Sequence, residues 1–426
     1  MPIKKRLEVI SLGDELLLGL RDNSHLTYLG KELARKGIVI QRDQEIRDST
    51  DDIKHYVQET WNRVDVLITT GGLGPTVDDV TREAVAEALG CKLVYDETVE
   101  QAIRERFARH NRVVTENNLK QAYVLEGAEV LPNPNGTAPG MWLEKDGKIL
   151  IMMPGPGHEM RPMFIDYVLP RLEAKDIAFT NDAYLQIRTC GVGESQLETM
   201  LQPIFNPHAE DLNVAYCVHE GIVDIRLGST GLLPWQTIEQ IGEQCRDALD
   251  MDFLGYGDVT HGELIFKYLR SREKTFSVAE SCTGGLISSA FTDLAGVSKV
   301  FLGGLVCYNN DVKTTLLGVP DAIITQHGAV SPECAVAMAT AAQERFESDY
   351  ALSITGYAGP TGGNKDNPVG TIYMGYCSPY GVWSHKIHIP GTRIAVRQKA
   401  AVMAMDWVRR KLLKYQMHDL LEDLAM

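Results

Sequence analysis

Short apolar runs that stop at glycine, each followed by a stretch of helical spacing, constrain this chain more than any other feature. Leu7–Gly13 (LEVISLG) reads as a strand, His25–Gly37 as a helix, Val64–Gly72 (VDVLITTGG) as a strand and Val80–Gly90 as a helix. Lys148–Gly155 (KILIMMPG) is a further strand ending in a turn. This βαβ rhythm predicts an α/β fold with a mostly parallel sheet, and a ligand site at the carboxyl ends of its strands.

The rhythm does not hold throughout. Tyr184–Val192, Glu194–Phe205, the adjacent strands Asn213–Gly221 and Gly221–Ser229, and Trp235–Asp250 suggest a small α+β unit with a hairpin turning near Glu220-Gly221. From about Asp258 the α/β pattern resumes. The expected division is therefore 1–172, 173–256 and 257–416, with an acidic tail at 417–426. A chain of 426 residues is too long for one ordinary core and agrees with several domains.

Composition narrows the partners. The formal net charge of −15 argues against nucleic acid, which is bound through clustered Lys and Arg. The eight cysteines include no C-x-x-C pair, so they indicate neither a zinc site nor a disulfide framework and fit the reducing cytoplasm. Asp14 and Glu15 interrupt the N-terminal apolar run too early for a signal peptide, and no stretch of about 18 uncharged apolar residues spans a membrane.

In the first segment, Gly71-Gly-Leu-Gly-Pro-Thr-Val-Asp-Asp79 lies between a strand and a helix. Amides exposed by such a turn make an anion site. Gly71, Gly72 and Gly74 are the candidates to approach a phosphate. Asp78 and Asp79 repel one unless a divalent ion bridges them; alternatively, Asp78 caps the helix. Ser11–Leu16, which contains Asp14 and Glu15, Asn135–Gly140 and Met153–Met160 each close a predicted strand, so all are expected at one sheet edge.

In the third segment, the strand Thr275–Ala279 runs into Ser281-Cys-Thr-Gly-Gly285, and Leu286–Leu294 looks helical. Ser281 and Cys282 are both candidate nucleophiles, while Ser281 or Thr283 equally suits a plain N-cap. Lys313 follows the apolar strand Phe301–Tyr308 and can act as a base if desolvated. Serine–lysine pairs are an alternative to serine–histidine ones. Ser353–Gly363 is a strand ending in a glycine-rich loop that includes Thr355 and Gly356. Arg393 and Arg397 stand four apart on one helix face, suited to a phosphate clamp or to surface ion pairs.

The N-terminal loops "GDELLLG", "TTGGLGPTVDDVT", "NGTAPG" and "MPGPGHEM" resemble the molybdenum-cofactor-biosynthesis fold, and more narrowly the N-terminal domain of the CinA (competence/damage-inducible) family. That resemblance implies a metal-dependent ADP-ribose pyrophosphatase rather than molybdopterin insertion. Asp79 matches the acidic residue after the glycine turn and Asp48 a second acidic position, the two implied metal ligands. Gly71, Gly72, Gly74, Asp14 and Glu15 complete the implied site.

The middle segment resembles a KH-like module. Gly228-Ser-Thr-Gly231 has the letters of the RNA-gripping loop, but it follows a strand and is nearly uncharged, which favours a spacer or dimer contact.

"AESCTGG", "YNNDVK", "QHGAVS", "SITGYAGPTGG", "NPVGT" and "GTRIAVR" resemble the CinA C-terminal, or PncC, domain. It implies hydrolysis of nicotinamide mononucleotide to nicotinate mononucleotide and ammonia, without a cofactor. On this reading Ser281 is the nucleophile and Lys313 its base. Tyr308 orients the lysine and the Ser281–Gly285 amides hold the oxyanion. Thr283, Gly284, Gly285, Thr355 and Gly356 contact the substrate. Arg397, with Arg393 second, holds the phosphate, and Cys282 packs. Asn367 departs from the lysine often found before that proline. A homodimer is the expected assembly. A non-catalytic nucleotide-binding regulator and a molybdopterin-binding enzyme are the rival readings.

Overall fold

The computed structural model describes residues 5–219, 221–229 and 233–423. They form two compact units, Met1–Tyr184 and Leu185–Met426. The protein is a multidomain α/β chain. Among the described residues no helix is long and apolar enough to cross a membrane.

The first unit is built on a six-stranded sheet in the order β2-β1-β3-β8-β7-β6. Its strands are β1 (Leu7–Leu12), β2 (Arg42–Ile46), β3 (Val66–Thr70), β6 (Glu129–Leu131), β7 (Gly140–Lys145) and β8 (Lys148–Met153); β4 (Leu93–Tyr95) and β5 (Tyr123–Leu125) pair apart from it. β2, β1, β3 and β8 run parallel, and β7 and β6 add antiparallel strands at one edge. Every residue of β1 and β3 is buried. That explains why they read as unbroken apolar runs: a parallel strand is covered on both faces. Two apolar clusters cover the sheet, one containing Ile53, Val57 and Val85 and the other Leu29, Leu33 and Phe164.

The second unit holds two sheets. One has the order β10-β11-β9-β12, from β9 (Tyr184–Cys190), β10 (Leu212–Val218), β11 (Ile222–Ser229) and β12 (Phe253–Tyr256). β10 and β11 form the expected hairpin, closed by the His219 amide donating to the Ile222 carbonyl at 2.8 Å. Glu220, at its turn, and Thr230 and Gly231 of the Gly228–Gly231 stretch lie outside the described residues.

The other sheet has the order β14-β13-β15-β16-β17, from β13 (Phe276–Glu280), β14 (Phe301–Val306), β15 (Tyr350–Gly356), β16 (Thr371–Ser378) and β17 (Gly381–His388). β14, β13 and β15 are parallel and the last two strands antiparallel. Helix α1 (Leu286–Thr292) follows β13, α2 (Pro332–Phe346) leads into β15, and the long α3 (Arg393–Asp423) closes the chain. The segment read as an acidic tail from 417 therefore begins inside a helix.

Strand β16 and helix α2 approach closely because Gly375 has no side chain. A Cβ there would lie 2.1 Å from the Ala335 carbonyl oxygen, an impossible contact. Gly375→Ala should destabilise the second unit by about 1–3 kcal/mol, the usual cost of overpacking, read as a lower urea midpoint by circular dichroism; an unchanged midpoint contradicts this packing.

Candidate functional sites

Parallel strands deliver their carboxyl ends to one edge, and in the second unit that edge assembles the chemistry. β13 pairs in register with both neighbours, Glu280 opposite Val306 and Ile354. One residue further, the Ser281 amide donates to the Ile354 carbonyl (3.0 Å) and the Cys307 amide to the Glu280 carbonyl (2.8 Å). Ser281 and the Cys307–Tyr308 carbonyls are thus fixed by the ladder itself.

Lys313 turns back onto this edge. It opens a π-helical turn, Lys313–Leu317, a distortion often found at functional sites. Its side chain is 1% exposed, and Nζ contacts Ser281 Oγ at 3.0 Å, the Cys307 carbonyl at 2.8 Å and the Tyr308 carbonyl at 3.3 Å. Burial lowers its pKa below the ordinary lysine value, against an opposite pull from the Cys307, Cys334 and Cys282 thiols. Two of the three partners are carbonyls, which can only accept; the Ser281 hydroxyl can accept from the amine or, once the amine is neutral, donate to its lone pair.

Cys282 lies in the core, and burial pushes its thiol up to about 12, far from a thiolate at neutral pH. Of the two candidates, Ser281 is the one that contacts the buried lysine.

A cavity of about 230 Å³ opens on this pair, with Tyr308, Thr355, Gly356 and Arg393 among its walls. The sequence reading did not single out Asn310, Ala329, Val330, Tyr357 and Ala358, which also line it, although Ala329 and Val330 stand in the quoted "QHGAVS". Thr355 is fixed by donating to the Ala329 carbonyl at 2.7 Å.

Several assigned roles change. Arg397 does not face the cavity: its Nε and Nη2 donate to the Cys282 and Thr283 carbonyls at 3.0 and 2.8 Å, so it braces the nucleophile's turn. Arg393 is the arginine in the wall, bonded to the Gly359 carbonyl and to the Tyr308 hydroxyl (2.8 Å). Tyr308 therefore holds Lys313 through its backbone carbonyl, while its hydroxyl serves Arg393. Thr283, Gly284 and Gly285 stand behind the cavity rather than in its wall. Of the turn's amides, those of Ser281 and Gly285 are already spent, on Ile354 and on the Glu280 carboxylate. Asn367 accepts from the Tyr373 hydroxyl and also lies outside the wall.

In the first unit a cavity of about 730 Å³ lies at the carboxyl ends of β1, β3 and β8. The glycine turn, the loop after β1, Thr137 and Ala138, and Pro154–Glu159 meet there, as the strand-end argument predicts. Glu15, Asp48, Gly71, Gly72, Gly74 and Asp79 line it. Asp14 does not: it exchanges backbone-to-carboxylate hydrogen bonds with Asp48 and lies 3.5 Å from Arg47, which makes it a brace. Asp79 is held by the Thr76 amide (2.8 Å) and hydroxyl, seated where a Cβ on Gly74 would collide with it. The capping role open to Asp78 is not taken, because Val80 is the N-cap position.

Arg82, fully buried, donates to the Leu73 and Gly74 carbonyls and fastens the turn from beneath. The sequence gives no sign of this, since an arginine in a helix reads as surface.

Asp48 is raised above the usual carboxylate range, first by burial and then by the charges of Glu15, Asp14 and Asp78. Crowded oxygen donors of this kind suit a hard divalent cation. Among the described residues, no three of these carboxylates lie close enough together to share one ion.

Among the described residues, one group of three potential ligands lies close enough for a single ion: Cys190, His261 and Asp406. Asp406 is already saturated. Arg409 Nε and Nη2 reach Oδ1 at 2.8 and 2.7 Å, and Arg410 Nε reaches Oδ2 at 2.6 Å. A dication beside one buried and one half-buried guanidinium would be repelled. The group is a clasp: Arg409 also bonds the Met251 carbonyl, and Arg410 the Cys190 carbonyl and Asp252.

Burial alone would raise the Asp406 pKa; the His261 imidazole, with Nε2 3.4 Å from Oδ1, and the two arginines bring it down to about 2. A folded value below the ordinary aspartate 3.8 means that this stabilisation, about 2 kcal/mol, is present above pH 4 and is lost as pH falls towards 2. Asp406→Asn should lower stability by about 3–5 kcal/mol at pH 7, because it strands the buried Arg409 and the half-buried Arg410. In urea melts the gap to wild type should narrow between pH 4 and pH 2; a gap independent of pH rules the clasp out.

Comparisons with known proteins agree with this division. Residues 8–174 match the model of a probable molybdopterin binding domain, and residues 259–412 that of the CinA C-terminal domain. A CinA-like protein of Kosmotoga olearia is 40% identical over 411 residues, 96% of this chain and 99% of its own. One of Dictyoglomus thermophilum is 38% identical over 411 residues, with the same shares of each chain. The solved structure of the protein CinA from Thermoplasma acidophilum covers 41% of this chain and 99% of its own at 31% identity, with a TM-score of 0.37.

Proposed function

The chain belongs to the CinA family, and from that premise we propose that its second unit hydrolyses the carboxamide of nicotinamide mononucleotide to nicotinate mononucleotide and ammonia. The observation that carries this reading is the 3.0 Å contact between Ser281 Oγ and a fully buried Lys313 amine of lowered pKa. Lys313 takes the serine proton as Oγ bonds to the carboxamide carbon, and the C=O electron pair moves onto oxygen. The amide of Cys282, the one other turn residue in the cavity wall, is the turn's candidate to hold that oxyanion. Collapse breaks the C–N bond, and the Lys313 ammonium returns its proton to the leaving nitrogen, releasing ammonia. Water, deprotonated by Lys313, then cleaves the acyl ester and restores Ser281. Arg393 in the wall is the cation available to the substrate phosphate.

We further propose that the first unit is a metal-dependent ADP-ribose pyrophosphatase, a reading supported by its larger, acid-lined cavity. Asp48 and Asp79 would hold a divalent ion, which when bound offsets pyrophosphate charge and acidifies a water. Gly71, Gly72 and Gly74 shape the turn by leaving room for the Leu12 carbonyl, Thr81 and Asp79, and Asp14 keeps Asp48 in place.

Ammonia release from nicotinamide mononucleotide is the direct test. Ser281→Ala should abolish it and Cys282→Ala should keep most of it. Lys313→Met should abolish it, and Lys313→Arg should not rescue, since guanidinium stays protonated. Because the neutral amine is the base, the rate should rise with pH through one ionisation lying below the ordinary lysine value. An active Lys313→Arg enzyme would falsify the lysine's role.

With ADP-ribose and a divalent metal, Asp79→Ala should lose hydrolysis while its deamidation is untouched. Loss of both activities in a folded variant would show that the two sites are not separate.

A further inference from the structure

We propose that Glu280 is a positioning residue of the Ser281–Lys313 site, the group that holds the nucleophile's turn closed; this rests on the amidohydrolase reading above. Glu280 is the last residue of β13 and is completely buried. Its Oε2 accepts from the Gly285 amide (3.0 Å) and the Ile287 amide (3.2 Å). Its Oε1 accepts from the Ser288 amide (2.8 Å) and hydroxyl (2.7 Å).

Helix α1 needs this. Its N-cap position is Gly285, which has no side chain to satisfy the free N–H groups of the first turn. The carboxylate supplies that cap from five residues upstream, and so closes a ring around Ser281, Cys282, Thr283 and Gly284. Four donors satisfy the carboxylate beside the nucleophile, leaving it no free lone pair turned to the lysine. Its part is therefore geometric rather than a proton transfer.

A second layer supports it. A Cβ on Gly304 of β14 would lie 2.3 Å from Ser288 Oγ, so the bare strand position makes room for the hydroxyl that bonds Glu280. Arg397, bonded to the Cys282 and Thr283 carbonyls, secures the same turn from the other end.

The test uses the full chain, with two readouts: steady-state ammonia release from nicotinamide mononucleotide, and the rate at which a fluorophosphonate probe labels Ser281. Glu280→Gln should lower kcat roughly 100-fold, as expected for a nucleophile displaced by about an ångström. KM should change little, labelling should slow in parallel, and the midpoint of the pH–rate profile should not move. Ser288→Ala should show a smaller loss of the same kind.

Wild-type kcat and labelling in Glu280→Gln would overturn the proposal, as would a shifted pH midpoint, which would make Glu280 a proton-transfer group. If Glu280→Gln does not fold by circular dichroism, Ser288→Ala and Gly304→Ala decide: an unaltered kcat in both overturns it. A wild type that is labelled at Ser281 but releases no ammonia would sink the substrate assignment alone, and the labelling rates would still judge Glu280.

Discussion

An amine kept out of water is the constraint on which the second unit depends. A lysine surrounded by solvent holds its proton at neutral pH and can only be a cation. Lys313 is removed from solvent at the strand ends of β13 and β14, gripped by two carbonyls and set against one hydroxyl. Moving Ser281 out of the sheet ladder, or Lys313 out of its π-helical turn, would break that match. The parallel register, the close approach at Gly375 and the glycine-rich turn all serve to keep it.

The two units solve related problems with different materials. In both, the carboxyl ends of parallel strands leave amides and loops at one edge, as doubly wound folds do. The first unit sets carboxylates around a roomy cavity, where burial raises Asp48. The second sets a neutral base beside a hydroxyl in a cavity about a third as large. Each turn is fastened by a buried or half-buried arginine gripping backbone carbonyls, Arg82 in one and Arg397 in the other.

What the residues disclosed before any coordinates follows from how local the signal was. Ser281 and Lys313 were legible because each follows an apolar strand, and strand ends are where parallel sheets place chemistry. The convergence of the N-terminal loops was legible for the same reason. Arg393 and Arg397 were read as a pair, because a spacing of four puts both on one face; which one meets the cavity depends on the turn opposite, 110 residues away in sequence. Asp14 looked like a wall residue because it sits beside Glu15, yet its neighbour across the strands is Asp48. Glu280 was silent for a different reason: as the last residue of a buried strand it marks no motif, and its partners lie in a helix that has not yet begun.

Helix α3 carries two of these features at once. Arg397 reaches the nucleophile's turn, and Arg409, twelve residues and about 18 Å further along the axis, reaches the carbonyls of Met251 and Phe253 beside β12. The small sheet and the catalytic edge are consequently tied to one rigid rod. Melting the small sheet takes from the rod the carbonyls that Arg409 and Arg410 grip, and so loosens the helix that secures the turn. Stability built into a module with no reacting groups is thereby felt as order at the serine.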